Sequence, residues 1–121
     1  MSDERKPSLD VRTTRFALEI IKLCAELPRS MPAEVLGRQI LRSGTSVGAQ
    51  YREAKRAKSI ADFVSKIEGA LQEIEETSYW LELLTNSSML TKRRTAPLVS
   101  EAEELTAMLA ASAITAKRRR Q

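Results

Sequence analysis

The 121-residue, 13.5 kDa chain has room for one compact domain, with 42% apolar residues, 30% charged residues and a formal net charge of +4. Four glycines, four prolines and 4% aromatics are too few for the turns and aromatic positions of a sandwich or barrel, and no apolar run approaches the roughly 18 residues of a membrane span. The lack of histidine removes Ser-His-Asp and Cys-His catalysis, histidine-ligated zinc and histidine-based nucleases together, so the expectation is a soluble all-α protein that is no enzyme and holds no cofactor.

Residues 1–10 are polar and interrupted by Pro7, and read as a flexible lead-in. Neither Met1–Pro7 nor the C-terminus carries a targeting or lipidation signal, and the lone Cys24 cannot form an internal disulfide, so a cytoplasmic protein is expected. From residue 11 onward Phe16, Ile20, Leu23, Cys24 and Leu27 recur at steps of three and four, the spacing of one helix face. Pro28 ends that segment, and Pro32 suits the first turn of the next. The second segment, about 33–57, places Leu36, Ile40, Ser43, Gly44, Val47, Tyr51 and Ala54 on one side. Its centre, Ser43–Ala49, is loop-like in composition, yet the period runs through it. We read one continuous helix whose small residues admit a close neighbour, with a helix broken at this point as the alternative.

Ser59 followed by Asp62 matches a capping box, which starts the third helix at Ile60. Ile60, Phe63, Val64, Ile67, Ala70, Leu71, Ile74, Ser78 and Leu81 share its apolar face, and Asn86-Ser87-Ser88 closes it. Thr95 is placed to cap a fourth helix with Pro97 in its first turn, and Leu98, Ala102, Leu105, Leu109 and Ala116 form the last stripe. Short links make neighbours antiparallel, so residues 11–116 are expected to form an up-down-up-down four-helix bundle, followed by a solvated basic tail over 117–121.

The charge is unevenly spread. Residues 33–58 hold six basic residues (Arg38, Arg42, Arg52, Lys55, Arg56, Lys58) against two acidic ones, whereas residues 60–86 hold Lys66 against six acidic residues that include Glu73 and Glu76. Arg38, Arg42, Thr45, Ala49, Arg52 and Arg56 step by threes and fours and form a stripe opposite the apolar face, on the order of 27 Å long at about 1.5 Å per residue. A solvated face is its simplest explanation. Two functional readings stand beside that: the stripe meets the acidic third helix of another copy, through Glu73 and Glu76, or it contacts nucleic-acid phosphates. Lys92-Arg93-Arg94 and the basic tail add to the second, although no aromatic is placed as a base-stacking platform.

Nothing else resembles a reactive centre. A di-metal bundle needs Glu-x-x-His motifs, which Glu73, Glu75 and Glu76 do not supply. Lys66, Glu73 and Trp80 lie along one flank of the third helix and read as edge or interface residues. Cys24 falls in an apolar stripe, where a thiol is a small hydrophobe, and Gly44 and Gly48 lack the Lys-Ser/Thr of a phosphate loop. No small-molecule substrate is evident.

The run from Gln39 to Ala54 (QILRSGTSVGAQYREA), followed by Ser59, Phe63, Lys66, Glu73, Glu76-Thr77 and Tyr79–Leu84, resembles the bacterial four-helix-bundle family that includes proteins encoded within intervening sequences of 23S ribosomal RNA genes. The resemblance covers roughly residues 13–115, with Gln50 where the family commonly has asparagine. It implies a small cytoplasmic bundle that assembles as a ring-like homopentamer. The chain is also similar to the accessory proteins of diversity-generating retroelements, which are pentameric, basic and associated with nucleic acid and a reverse transcriptase. From the resemblance and the opposed charges we expect a non-enzymatic, self-assembling bundle that binds RNA or DNA. The alternatives are a protein-protein adaptor and an RNA-processing enzyme, the latter disfavoured because comparable helical-bundle ribonucleases use an arginine-histidine motif.

Overall fold

Three serines set where the first three helices begin. Ser8 Oγ accepts the Val11 N–H at 3.3 Å, Ser30 Oγ that of Ala33 at 3.2 Å, and Ser59 Oγ that of Asp62 at 3.0 Å, each satisfying an amide that the helix itself leaves free. They open α1 (Leu9–Ala25), α2 (Met31–Lys55) and α3 (Ile60–Asn86), and α4 (Lys92–Arg120) completes the set. The computed structural model describes residues 7–120, so most of the expected lead-in and Gln121 lie outside the described residues. Leu9 and Asp10 already belong to α1, and Leu9 is buried.

Cross-helix contacts fix the directions. Thr13 lies against Gly48, Ile20 against Gly44 and Leu27 against Gly37, so α1 and α2 are antiparallel. Gln50 against Gly69 and Ser43 against Thr77 give the same relation for α2 and α3. Thr85 with Thr95, and Glu68 with Lys117, give it for α3 and α4. Arg12 with Glu101, and Glu26 with Arg94, close the ring antiparallel between α1 and α4. The bundle therefore runs up-down-up-down. Among the described residues the diagonal helices make no close backbone approach, and the α1–α4 seam is the sparsest of the four.

The continuous reading of α2 holds: the helix passes unbroken through Ser43–Ala49. A methyl group at Gly44 would come within 2.9 Å of Ile20 Cγ1, and one at Gly48 within 3.0 Å of Thr13 Oγ1. The missing side chains are thus what lets α1 lie directly on α2. Phe16, Ile20, Leu23, Ile40, Val47, Ile67, Ile74, Leu81, Leu105 and Leu109 fill the centre and are almost wholly buried. Among the residues expected in the core, Ile60 is exposed, while Leu36, Tyr51, Phe63 and Leu71 are partly buried at its margin.

Two expectations shift. The inward polar residue of α3 is Thr77, not Ser78, because Thr77 reaches the Ser43 hydroxyl at 2.8 Å and is fully buried. The fourth helix begins a turn earlier than expected: Thr91 Oγ1 accepts the Arg94 N–H at 3.1 Å, and Pro97 sits inside the helix. Thr95 is buried instead, with its hydroxyl 2.8 Å from that of Thr85. Pro97 costs the helix a single bond, to the carbonyl four residues back on exposed Arg93, where water can take its place. Beyond Ala116 the expected tail is helical through Arg120, and Lys117 pairs with Glu68 at 3.2 Å.

The glycine contacts predict opposite signs for one substitution. Gly44→Ala presses on the stiff, β-branched body of Ile20, so overpacking of about 1–3 kcal/mol should outweigh about 1 kcal/mol of helical propensity and lower the unfolding free energy. At Gly37 the nearest atom is the flexible Leu27 Cδ1 at 3.2 Å, and Gly37→Ala should be neutral or stabilising by up to about 1 kcal/mol. Urea unfolding of both variants reads the contrast.

Candidate nucleic-acid interface

The arginine stripe of α2 faces outward along its length, but its members meet different neighbours. Arg38 pairs with Glu34 of its own helix at 3.3 Å, both largely exposed. Arg42 donates to Glu76 at 2.6 Å and Glu73 at 3.4 Å, so the two acidic candidates are engaged by α2 of the same chain. The Glu76 contact above all, with the two carboxylate charges, holds the Arg42 pKa above its ordinary value. Arg52 donates to Thr14 Oγ1 at 3.2 Å and lies 3.9 Å from Asp10, while Lys55 pairs directly with Asp10. Arg56 and Lys58 have no ion-pair partner among the described residues and are exposed. Along the flank that faces α2, Lys66 pairs with Glu53 at 3.3 Å, and the Trp80 Nε1 is buried with no hydrogen-bond partner among the described residues.

The antiparallel order places the α2 C-terminus, the α3 N-terminus and the α4 C-terminus at one end of the bundle. Lys55 and Lys58 thereby share a cleft with Arg119, more than fifty residues away in sequence, while Arg52 and Arg56 line the neighbouring outer face with Asp10. Arg118 and Arg119 are exposed and, like Arg56 and Lys58, have no ion-pair partner among the described residues. Between the α2–α3 turn and the last turns of α4 lies an open cleft of about 680 Å³. Ala54, Ile60, Phe63 and Ala116 form its apolar part, and each charged residue on it (Lys55, Lys58, Arg119) is a cation. Sequence reading found both basic segments but not their convergence, which requires the topology. Among the described residues no group of His, Cys, Asp and Glu could hold a metal ion. The Cys24 thiol lies 3.6 Å from the Gly37 carbonyl oxygen, and burial raises its pKa, which leaves it a weak nucleophile.

A second charged cluster, absent from the sequence reading, closes the α1–α4 seam. Arg12 is only 7% exposed, and its Nε and Nη2 donate to Glu101 at 3.0 and 2.7 Å. Nη2 also reaches Glu104 at 2.8 Å, and Nη1 lies 3.2 Å from Met108 Sδ. The hydrogen bonds to Glu101 and then Glu104 outweigh the cost of burial and hold the guanidinium firmly charged. At the opposite end Arg94 forks onto Glu26 at 2.7 and 2.9 Å.

Arg12→Ala should cost about 2–3 kcal/mol in urea unfolding, below the roughly 3–5 kcal/mol of a fully buried pair because Glu101 and Glu104 keep contact with water. Arg94, chiefly through its hydrogen bond, holds the Glu26 carboxyl below its ordinary value of 4.5. A depressed carboxylate contributes stability above the unfolded-state value and loses it as pH falls through the folded one. An NMR titration should therefore place the Glu26 midpoint under 4.5, and Arg94→Gln should move it back upward.

The chain matches the family model described as "23S rRNA-intervening sequence protein" over residues 11–111. It is similar to a crystal structure of a protein with unknown function from the S23 ribosomal protein family of Bacteroides thetaiotaomicron VPI-5482. That likeness has a TM-score of 0.83 at 37% sequence identity and covers 88% of this chain and 98% of the other. Comparison with curated proteins gives no match. No helix among the described residues is long and apolar enough to cross a membrane. The match over residues 11–111 and the shared fold lead to one conclusion: the chain belongs to the 23S rRNA-intervening sequence protein family.

Proposed function

We propose that the protein is a non-catalytic cytoplasmic subunit that assembles with copies of itself and binds nucleic acid through the basic end of the bundle. The observation that carries this reading is the meeting of two sequence-distant basic segments, with Arg56, Lys58, Arg118 and Arg119 exposed and not spent on carboxylates. A phosphate backbone asks for cations in a row on a rigid surface and for no special fold. The central stripe fits less well, since Arg38 and Arg42 are already paired with Glu34, Glu73 and Glu76.

Self-assembly is supported by a separate surface. Val11, Leu18 and Ile21 project from the outer face of α1 at heptad-like spacing, with Leu18 53% and Ile21 48% exposed. Leu41 lies on the flank of α2 whose glycines touch α1, and it is 39% exposed. Apolar side chains grouped in this way mark an interaction surface. The family resemblance supports a ring-like homopentamer as the form of that assembly.

Fluorescence anisotropy with a labelled structured RNA tests the first part. Four phosphate contacts predict that affinity falls about 10²-fold between 50 and 200 mM salt. Reversing Arg56, Lys58 and Arg119 to glutamate should abolish binding, whereas Arg38→Glu should change it little. No binding at the lower salt overturns the nucleic-acid reading. Light scattering after gel filtration tests assembly: the wild type should run as an oligomer at micromolar concentration and Leu18→Glu/Ile21→Glu as a monomer. A monomeric wild type overturns it.

A further inference from the structure

The cleft at the basic end has more structure than phosphate binding requires. A polyanion that contacts only phosphates needs a convex or grooved row of cations, yet here an apolar recess opens between them. Phe63 is partly buried on its wall and Ile60 is exposed at its mouth, on the first turn of α3. Lys58 stands on the α2–α3 turn and Arg119 on the facing α4 wall, so the recess has a cation on each side and no acidic residue on its lining. Ser59 is also on the lining. Its oxygen accepts the Asp62 N–H at 3.0 Å, which leaves its own O–H free to donate. The volume, about 680 Å³, lies within the roughly 300–1,000 Å³ of ordinary ligand clefts.

A flat apolar group with a negative charge on either side matches this recess. We propose that the cleft receives an unstacked base of single-stranded nucleic acid, with the flanking phosphates on Lys58 and Arg119. The inference rests on the nucleic-acid reading above and deepens it from polyanion binding to a preference for single strands. Duplex bases are paired and stacked, and must be extruded before they can enter, whereas a single strand offers them with little penalty. Phe63 then supplies apolar and aromatic contact that any base can use, so the preference concerns strandedness and not sequence.

The test compares three probes at one salt concentration: an unstructured single strand of about twenty nucleotides, the duplex of the same length, and inorganic polyphosphate of matched charge. The single strand should bind about tenfold tighter than either of the others. Phe63→Leu keeps the side chain apolar and should bring the single strand down to the duplex level, with duplex affinity unchanged. Ala111→Trp, from an exposed position on the rim, should fill the recess and do the same without touching the core, so an unfolded Phe63 variant does not leave the matter open. Lys58→Glu/Arg119→Glu should weaken all three probes. Equal binding of single strand, duplex and polyphosphate overturns the base cleft and leaves the nucleic-acid reading intact, as does a strand preference that survives both recess variants. If no probe binds, the nucleic-acid reading itself falls.

Discussion

The close seating of α1 on the glycine flank of α2 is the constraint from which the other contacts follow. With no Cβ at Gly44 and Gly48, Ile20 and Thr13 reach the backbone of α2, and the two helices behave as one slab. On its other side α1 makes the sparsest backbone approach in the bundle, toward α4. A long side chain spans that seam: Arg12 reaches across to Glu101 and Glu104, and Arg94 returns from α4 to Glu26. One side of α1 is held by the absence of side chains, the other by the longest available.

Register along the remaining seams is set by hydroxyl pairs. Thr77 donates to the Glu73 carbonyl and so accepts from Ser43, while Thr85 donates to the Leu81 carbonyl and accepts from Thr95. A shift of one helical turn would separate each pair and give up its hydroxyl–hydroxyl bond, at about 0.5–1.5 kcal/mol apiece, while each hydroxyl keeps a carbonyl of its own helix in reach. Apolar stripes alone tolerate such a shift, since leucine and isoleucine recur at every turn. The polar pairs therefore select one alignment among several that hydrophobic burial would accept, and that alignment brings the basic ends of α2 and α4 level.

Features written in local spacing were legible in the sequence. The Ser59 cap, the unbroken period through Ser43–Ala49 and the stripe from Arg38 to Arg56 each lie within a few turns of one helix. What depended on a distant partner was not legible. Thr91 and Thr95 stand one turn apart and both suit a cap, and the choice is made by Thr85 on another helix. Ser78 and Thr77 are adjacent small polar residues, and only the position of Ser43 turns Thr77 inward. Arg12 is one arginine among several near the N-terminus, and its partners lie about ninety residues away. Phe63 fits an apolar stripe in sequence, yet its ring lies at the margin of the core on the wall of the cleft.

An even number of antiparallel helices brings the start of α1 and the end of α4 to the same pole, the one that carries the cleft. Any domain joined to either end of the bundle emerges beside the cleft and competes with ligands for the space in front of it. The opposite pole, with the α1–α2 link over residues 26–30 and the α3–α4 link over 87–91, is free of that crowding. Reporter groups, affinity handles and surface attachments placed on those two links would leave the basic pole facing open solvent.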